Sequence, residues 1–141
     1  MSFEEKSTWI YAAVIPVAYV VYVAIILGRA RSTPLTEVPY VGPMLWTIGG
    51  AIVASILGHI VFAIIWPKDA DKKDQRDKEI YRFGEYTGQF LAIAGAVAAL
   101  ILAMVEADYF WIANVIYLGF VLSAILGSVT KLVAYRRGFQ S

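Results

Sequence analysis

Four long stretches without a charged side chain constrain the fold of this sequence more than any other feature. They run over 7–28, 38–67, 86–105 and 109–130 and cover 94 of the 141 residues. A bilayer hydrocarbon core about 30 Å thick needs roughly 20 apolar helical residues, and each stretch reaches that length. Hydrophobic residues make up 60% of the chain and charged residues only 16%, with a mean hydropathy of +0.66. The sequence therefore predicts a polytopic membrane protein and excludes a soluble enzyme domain, a disordered chain and a single anchor.

Long continuous apolar runs favour helices, because a barrel strand crosses the bilayer in only about 9 to 11 residues of alternating polarity. We therefore predict an all-α integral membrane fold, an antiparallel four-transmembrane-helix bundle that forms one membrane domain over 1–141. The connection at Glu106 and Asp108 is so short that the third and fourth spans must be adjacent and antiparallel. The predicted spans cover about 9–27, 44–66, 87–105 and 111–133. A charged segment over 68–85 precedes the third span.

The segment 68–85 is the one strongly polar part of the chain. Asp74 and Lys78 are four residues apart, and Glu79 and Arg82 are three apart, which are the separations at which opposite charges stabilise a helix. We expect a cytoplasmic helix that begins near Asp74 and continues into the third span. The six basic and six acidic residues of the whole segment 68–85 cancel, which argues against a polybasic clamp for anionic lipids.

The distribution of Lys and Arg predicts the orientation in the membrane. Ten of them lie in the N-terminus, the second connection and the C-terminal tail, whereas only Arg29 and Arg31 lie in the first connection and none lies in the third. Basic residues accumulate on the cytoplasmic side. The sequence therefore predicts a multi-pass protein of a bacterial or archaeal cytoplasmic (inner) membrane, with both termini in the cytoplasm.

Small residues recur at every fourth position in the second, third and fourth spans. Such stripes let helix backbones approach closely, and close approach provides much of the packing energy between helices in lipid. Two interpretations stay open, which are packing within one bundle and a homodimer seam on at least one stripe. The glycines predicted to pack helices are Gly50, Gly58, Gly88, Gly95, Gly119 and Gly127.

His59 is the one residue within the four uncharged stretches that titrates near neutral pH. A group of this kind in hydrocarbon is a functional candidate, as a proton relay or as a metal or haem ligand. A structural role is the alternative, in which a neutral imidazole bonds Ser55 or a neighbouring helix. We name His59, Ser55 and Asn114 as a candidate intramembrane polar site.

The sequence gives little support for catalysis. It contains no Ser, His and Asp set at one depth and no phosphate-binding loop. The absence of cysteine excludes a thiolate zinc site. Asp71, Asp74 and Asp77 repeat every three residues, but the basic residues between them favour a solvated helix face over a metal site. We therefore expect a non-enzymatic protein without a cofactor or a metal.

Two short motifs resemble those of a protein family. Residues 74–80 follow the pattern D-x-R-D-x-x-I, and residues 131–138 follow K-x-x-x-Y-R-R-G. Together with the four spans, they resemble an uncharacterised family of small four-span prokaryotic integral membrane proteins. Some members of that family sit beside small helix-turn-helix repressors. The resemblance therefore implies a membrane partner of such a regulator.

The leading hypothesis is a membrane interaction or regulatory protein that resides in the lipid bilayer and presents a charged cytoplasmic face to a protein partner. A net charge of +1 argues against direct binding of nucleic acid. The alternative is a small dimeric transporter or resistance protein. The small multidrug resistance family is similar in size, but it centres on a carboxylate in the first span that this chain lacks. The residues predicted to bind the partner are Asp74, Arg76, Asp77, Ile80, Arg82, Tyr135, Arg136 and Arg137.

Overall fold

Four long helices form the described part of the protein. The structure is a computed structural model that describes residues 3–66 and 75–137. The helices are α1 (Phe3–Arg29), α2 (Val41–Ile65), α3 (Gln75–Met104) and α4 (Tyr109–Arg137). Each of them is long and apolar enough to cross a membrane. The predicted all-α four-helix membrane fold is therefore confirmed.

The helices continue past the predicted apolar spans into the charged parts of the sequence. α3 begins at Gln75 and runs without a break into its apolar part, so the helical extension predicted before the third span is confirmed. Asp74, where we expected that extension to begin, lies outside the described residues. α4 ends with Arg136 and Arg137 in its last turn, where positive charge interacts favourably with the helix dipole. α1 is helical on both sides of Pro16.

The helices of the bundle are arranged in a row. α1 lies against both α2 and α4, and α3 lies against α4, so the order across the row is α2, α1, α4, α3. Between the described residues of α2 and α3 there is no substantial contact. Because successive helices run in opposite directions, the helix termini and their connections gather at two ends of the bundle along the helix axes. We call them the turn end, formed by 30–40 and 105–108, and the charged end, formed by 5–9, 62–66, 76–86 and 131–137.

A glycine seam joins α3 to α4. A Cβ atom built on Gly95 would lie 3.0 Å from the Cα atom of Gly119, and one built on Gly88 would lie 2.5 Å from the carbonyl oxygen of Ser123. A Cβ atom on Gly127 would lie 3.1 Å from a backbone oxygen of α3. The two backbones are therefore in direct contact, which only glycine allows. Four of the six glycines predicted to pack helices lie in this seam.

The two predicted glycines of α2 lie in different surroundings. Gly58 faces the side chain of Ile10 on α1, which is 3.2 Å from a Cβ atom built on the glycine. Gly50 is exposed, and nothing lies within 4 Å of a Cβ atom built there. The prediction that Gly50 packs against another helix is therefore corrected for the single chain, because α2 is an outer helix of the row and Gly50 lies on its open face.

The buried apolar core lies towards the turn end. Tyr22, Phe110 and Tyr117 belong to it, together with Val38 from the first connection. That connection is structured, since it contains the 3₁₀ helix Leu35–Glu37 and Val38 is only 2% exposed. The core thus packs α1 against α4 and packs both helices against the loop that joins α1 to α2.

α3 ends in a Schellman motif. The N–H of Ala107 donates to the carbonyl of Leu102 at 2.9 Å, and the N–H of Glu106 donates to the carbonyl of Ala103 at 3.1 Å. Glu106 has a φ of 58°, in the left-handed region that glycine adopts more easily. This motif ends α3 and turns the chain back into α4 within a few residues.

Candidate functional site

An ion pair joins α3 to α4 where the glycine seam reaches the charged end. Nζ of Lys131 lies 2.7 Å from Oε1 of Glu85 and 4.2 Å from the ring centroid of Tyr81. The Lys131 side chain is 11% exposed, whereas that of Glu85 is 58% exposed. The stem of the lysine passes over Gly84, where the absence of a side chain makes room for it. Lys131 is thus held between the helices while its ammonium group reaches the surface beside Glu85.

A second contact between the same helices lies further out at the charged end. The hydroxyl of Tyr135 donates to Oδ1 of Asp77 at 2.8 Å, and Arg76 donates to the backbone oxygen of Tyr135 at 3.3 Å. Asp77 is 5% exposed and Ile80 is fully buried. The prediction that Asp77 and Ile80 form a partner-binding surface is therefore corrected, because both side chains are used to join α3 to α4. Tyr135, half-buried, serves the same purpose.

The basic residues predicted to bind a partner remain at the surface. We call residues 76–86 and 131–137 together the arm. Asp74, the remaining member of the predicted set, lies outside the described residues. The exposed members are Arg76, Arg82, Arg136 and Arg137.

His59 lies between α2 and α1. Its Nδ1 donates a hydrogen bond of 2.7 Å to the backbone oxygen of Ser55, and its ring centroid lies 5.2 Å from that of Tyr11 on α1. A carbonyl oxygen only accepts hydrogen bonds, so Nδ1 carries a proton in this geometry. The structure thus brings His59 and Ser55 together, one turn apart on α2.

Asn114 belongs to a different part of the molecule. Its Oδ1 accepts a hydrogen bond from the Tyr22 hydroxyl, and its Nδ2 donates to the carbonyl of Phe110 at 2.7 Å. Tyr22 is eleven residues beyond Tyr11 on α1, or about 16 Å along the helix. The prediction of one polar site containing both His59 and Asn114 is therefore corrected, because they contact α1 at different depths.

A tyrosine cluster surrounds Asn114 and was not predicted from the sequence. The ring of Tyr117 lies 5.2 Å from that of Tyr19 and 4.9 Å from that of Tyr22, in edge-on geometry. The hydroxyl of Tyr117 lies 2.9 Å from Oγ1 of Thr47 on α2. The cluster therefore joins α1, α2 and α4. The three-residue spacing of Tyr19 and Tyr22 on one face of α1 is the signal that would have indicated it.

The ion pair faces a cavity between α1, α3 and α4. This cavity has a volume of about 320 Å³, and Tyr11, Ser123 and Ser128 also line it. Sequence reasoning did not select Glu85 or Lys131 as site residues, because they are 46 positions apart and their pairing depends on how α3 and α4 align. Their signal is their position beside the small-residue stripes, since Glu85 follows Gly84 and Lys131 lies one turn after Gly127.

Within residues 3–66 and 75–137, no three His, Asp or Glu side chains come together as metal ligands. No family model, curated protein or solved structure matches this chain.

Proposed function

We propose that the protein is a non-enzymatic membrane interaction protein whose arm binds an acidic surface of a cytoplasmic protein partner. The observation that carries this proposal is the division of charges on the arm. Asp77 and Glu85 engage residues of α4, while the basic side chains of Arg82, Arg136 and Arg137 are exposed. Asp77 and Glu85 therefore help to join the two helices of the arm, and these three arginines stay at its surface.

The internal contacts of the arm prepare it for binding. A surface that is already ordered loses little conformational freedom when a partner docks, so more of the contact energy appears as affinity. The arm holds six basic and three acidic residues, and two of the three acidic residues contact α4. The outward charge is therefore positive, and the complementary partner is acidic.

Residues 76–80 and 131–137, which belong to the two motifs that resemble those of a prokaryotic membrane protein family, lie on this arm. A small helix-turn-helix regulator is the partner class that the resemblance implies. Because the DNA-binding face of such a regulator is basic, we place the contact with the arm on an acidic face elsewhere on its surface. A homodimer stays a prediction, and the open face of α2 around Gly50 is where we would place its seam.

The proposal requires the arm to lie in the cytoplasm. The chain has no cysteine of its own, so single cysteines can report the sidedness of each end. Gln75→Cys should be shielded from an impermeant thiol reagent in intact cells, whereas Ala107→Cys should be labelled. Labelling of Gln75→Cys in sealed cells would contradict the orientation.

Site-specific photo-crosslinking in native membranes tests the partner surface. A benzophenone amino acid at Arg82 should yield one discrete protein adduct, and the same group at Trp46, which is 79% exposed near the other end of the row, should not. If position 82 yields only phospholipid adducts, the arm contacts the membrane and the proposal fails.

Charge variants test the chemistry of the contact. Arg82→Glu combined with Arg136→Glu should reduce the protein adduct from a crosslinker at Arg137 by about tenfold or more, because like charges then face each other. The control pair Arg82→Lys and Arg136→Lys should retain the adduct. A pH-dependent solute flux in proteoliposomes that His59→Gln abolishes would instead support the transporter alternative.

A further inference from the structure

Three cavities on one side of the row adjoin one another. They lie between α1, α3 and α4, between α1 and α2, and between α1, α2 and α4, with volumes of about 320, 470 and 250 Å³. Ile15 lines all three, Phe120 and Ala124 line the first and the third, and Ala51 and Ile52 line the second and the third. Because these residues are shared, the three cavities are direct neighbours along α1, and we call them together the lateral groove.

The lateral groove is polar at one end and apolar at the other. At the charged end it is lined by the Lys131–Glu85 pair and by the hydroxyl-bearing residues Ser123 and Ser128. Towards the turn end its walls are aliphatic and aromatic, as far as Tyr117. The distance from Lys131 to Tyr117 along α4 is about 21 Å, which exceeds the roughly 15 Å depth of one leaflet. A groove of this shape fits a membrane amphiphile with its headgroup at the charged end.

The ion pair indicates which headgroup fits. Lys131 carries three N–H donors and the carboxylate of Glu85 about four acceptor sites, so their mutual contact leaves capacity on both. The pair presents a positive and a negative charge side by side with no net charge. A headgroup with a phosphate for Lys131 and a primary ammonium for Glu85 is complementary to both.

Other common headgroups match this pair less well. An anionic headgroup without an amine places its negative charge beside Glu85 and offers that carboxylate no ammonium donor in addition to Lys131. A quaternary ammonium headgroup has the charge but no N–H to donate. The difference between these lipids therefore rests on a charge-assisted hydrogen bond to Glu85.

We propose that the lateral groove is a binding site for a zwitterionic aminophospholipid. Its phosphate lies on Lys131, its primary ammonium lies on Glu85, and one acyl chain follows Ile15 and Phe120 towards Tyr117. This proposal does not depend on the partner of the arm, because it uses neither Arg82 nor Arg136.

Native mass spectrometry of the full chain in detergent tests the proposal. The probes are phosphatidylethanolamine, phosphatidylglycerol and phosphatidylcholine with identical acyl chains. We expect phosphatidylethanolamine to be retained at about tenfold lower concentration than the other two, which is the change expected from one charge-assisted hydrogen bond. Glu85→Gln should abolish that preference, and its fold should persist because Glu85 is largely exposed.

Two further variants complete the test. Lys131→Met keeps the stem over Gly84 but removes the charge, so it should weaken retention of all three lipids. Glu106→Gln, at the turn end, should behave like the wild type. Equal retention of the three lipids by the wild-type chain, or an unchanged preference in Glu85→Gln, would overturn the proposal. A two-chain ion without bound phospholipid would assign the groove to a second copy and would overturn it as well.

Discussion

The α3–α4 hairpin and the α1–α2 pair are both antiparallel helix pairs, but they are held together by different contacts. In the first, backbone lies on backbone through Gly88, Gly95 and Gly119. In the second, side chains separate the helices, as where Ile10 covers Gly58 and where the ammonium of Lys6 lies 3.7 Å from the centroid of the Trp66 ring.

The two kinds of contact tolerate substitutions differently. A contact between backbones cannot adapt to a larger residue, because interiors are close-packed and the helices must separate as a whole. A contact through long side chains can adapt by changing rotamers. We therefore expect α3 and α4 to behave as one rigid unit and α2 to be the more adaptable helix of the row.

Gly88→Leu should destabilise the α3–α4 hairpin more than any other variant considered. The new Cβ atom alone would lie 2.5 Å from the Ser123 carbonyl oxygen, so the variant should lose at least about 3 kcal/mol of unfolding free energy. Gly50→Leu is the matched control, and it should change the unfolding free energy of the monomer by less than about 0.5 kcal/mol, because nothing within the single chain lies near Gly50. Equal unfolding free energies of the two variants in a detergent titration would disprove the glycine seam between α3 and α4.

Tyr135→Phe tests whether the charged end adds to the rigidity of the hairpin. The substitution removes the hydroxyl that donates to the buried Asp77 while keeping the ring, so we expect a loss of about 1 to 2 kcal/mol. Tyr109→Phe, at a residue that is 82% exposed, should have no measurable effect. Wild-type unfolding of Tyr135→Phe would mean that Asp77 does not need this donor.

Tyr22→Phe and Asn114→Ala probe the contact that joins the two helix pairs. A double-mutant cycle should give a coupling of about 0.6 kcal/mol, the usual size for hydrogen bonds between membrane helices. The measurement is the unfolding free energy of the two single variants and the double variant. Additive effects would indicate that the tyrosine cluster acts through ring packing alone.

Glu106→Gly should stabilise the turn between α3 and α4. Glycine adopts the left-handed conformation of Glu106 with less strain, and we expect a gain of about 0.5 kcal/mol, reduced by the greater freedom of glycine in the unfolded chain. Glu37→Gly in the first connection should not stabilise, because Glu37 does not have a positive φ. A lower melting temperature of Glu106→Gly would contradict this account.

Hydropathy and connection length were sufficient to predict the four helices and the adjacency of α3 and α4. The short connection at Glu106 leaves no other arrangement. The small-residue stripes did not reveal which of them are used, because a stripe that faces lipid has the same spacing as one that faces a helix. Gly50 and Gly88 therefore could not be distinguished before the order of the row was known.

The charged end illustrates a second limit of the sequence. Asp77, Ile80, Gly84 and Gly88 are separated by three or four residues, so they lie on one face of α3. Asp77 and Ile80 therefore continue the glycine seam between α3 and α4. An apolar or small face of this kind could equally contact a separate protein. Glu85 and Lys131 are 46 positions apart, and their pairing could not be predicted because it depends on the register of the hairpin.

The 92-residue separation of Tyr22 and Asn114 has a consequence for how the protein is made. α1 and α2 leave the ribosome and enter the bilayer before α4 has been translated. Until then the Tyr22 hydroxyl has no Asn114, and a polar group without a partner is unfavourable in lipid. We therefore expect chains truncated before α4 to be degraded faster than chains that contain it. The nascent protein then becomes resistant to proteolysis only after its last helix has been translated.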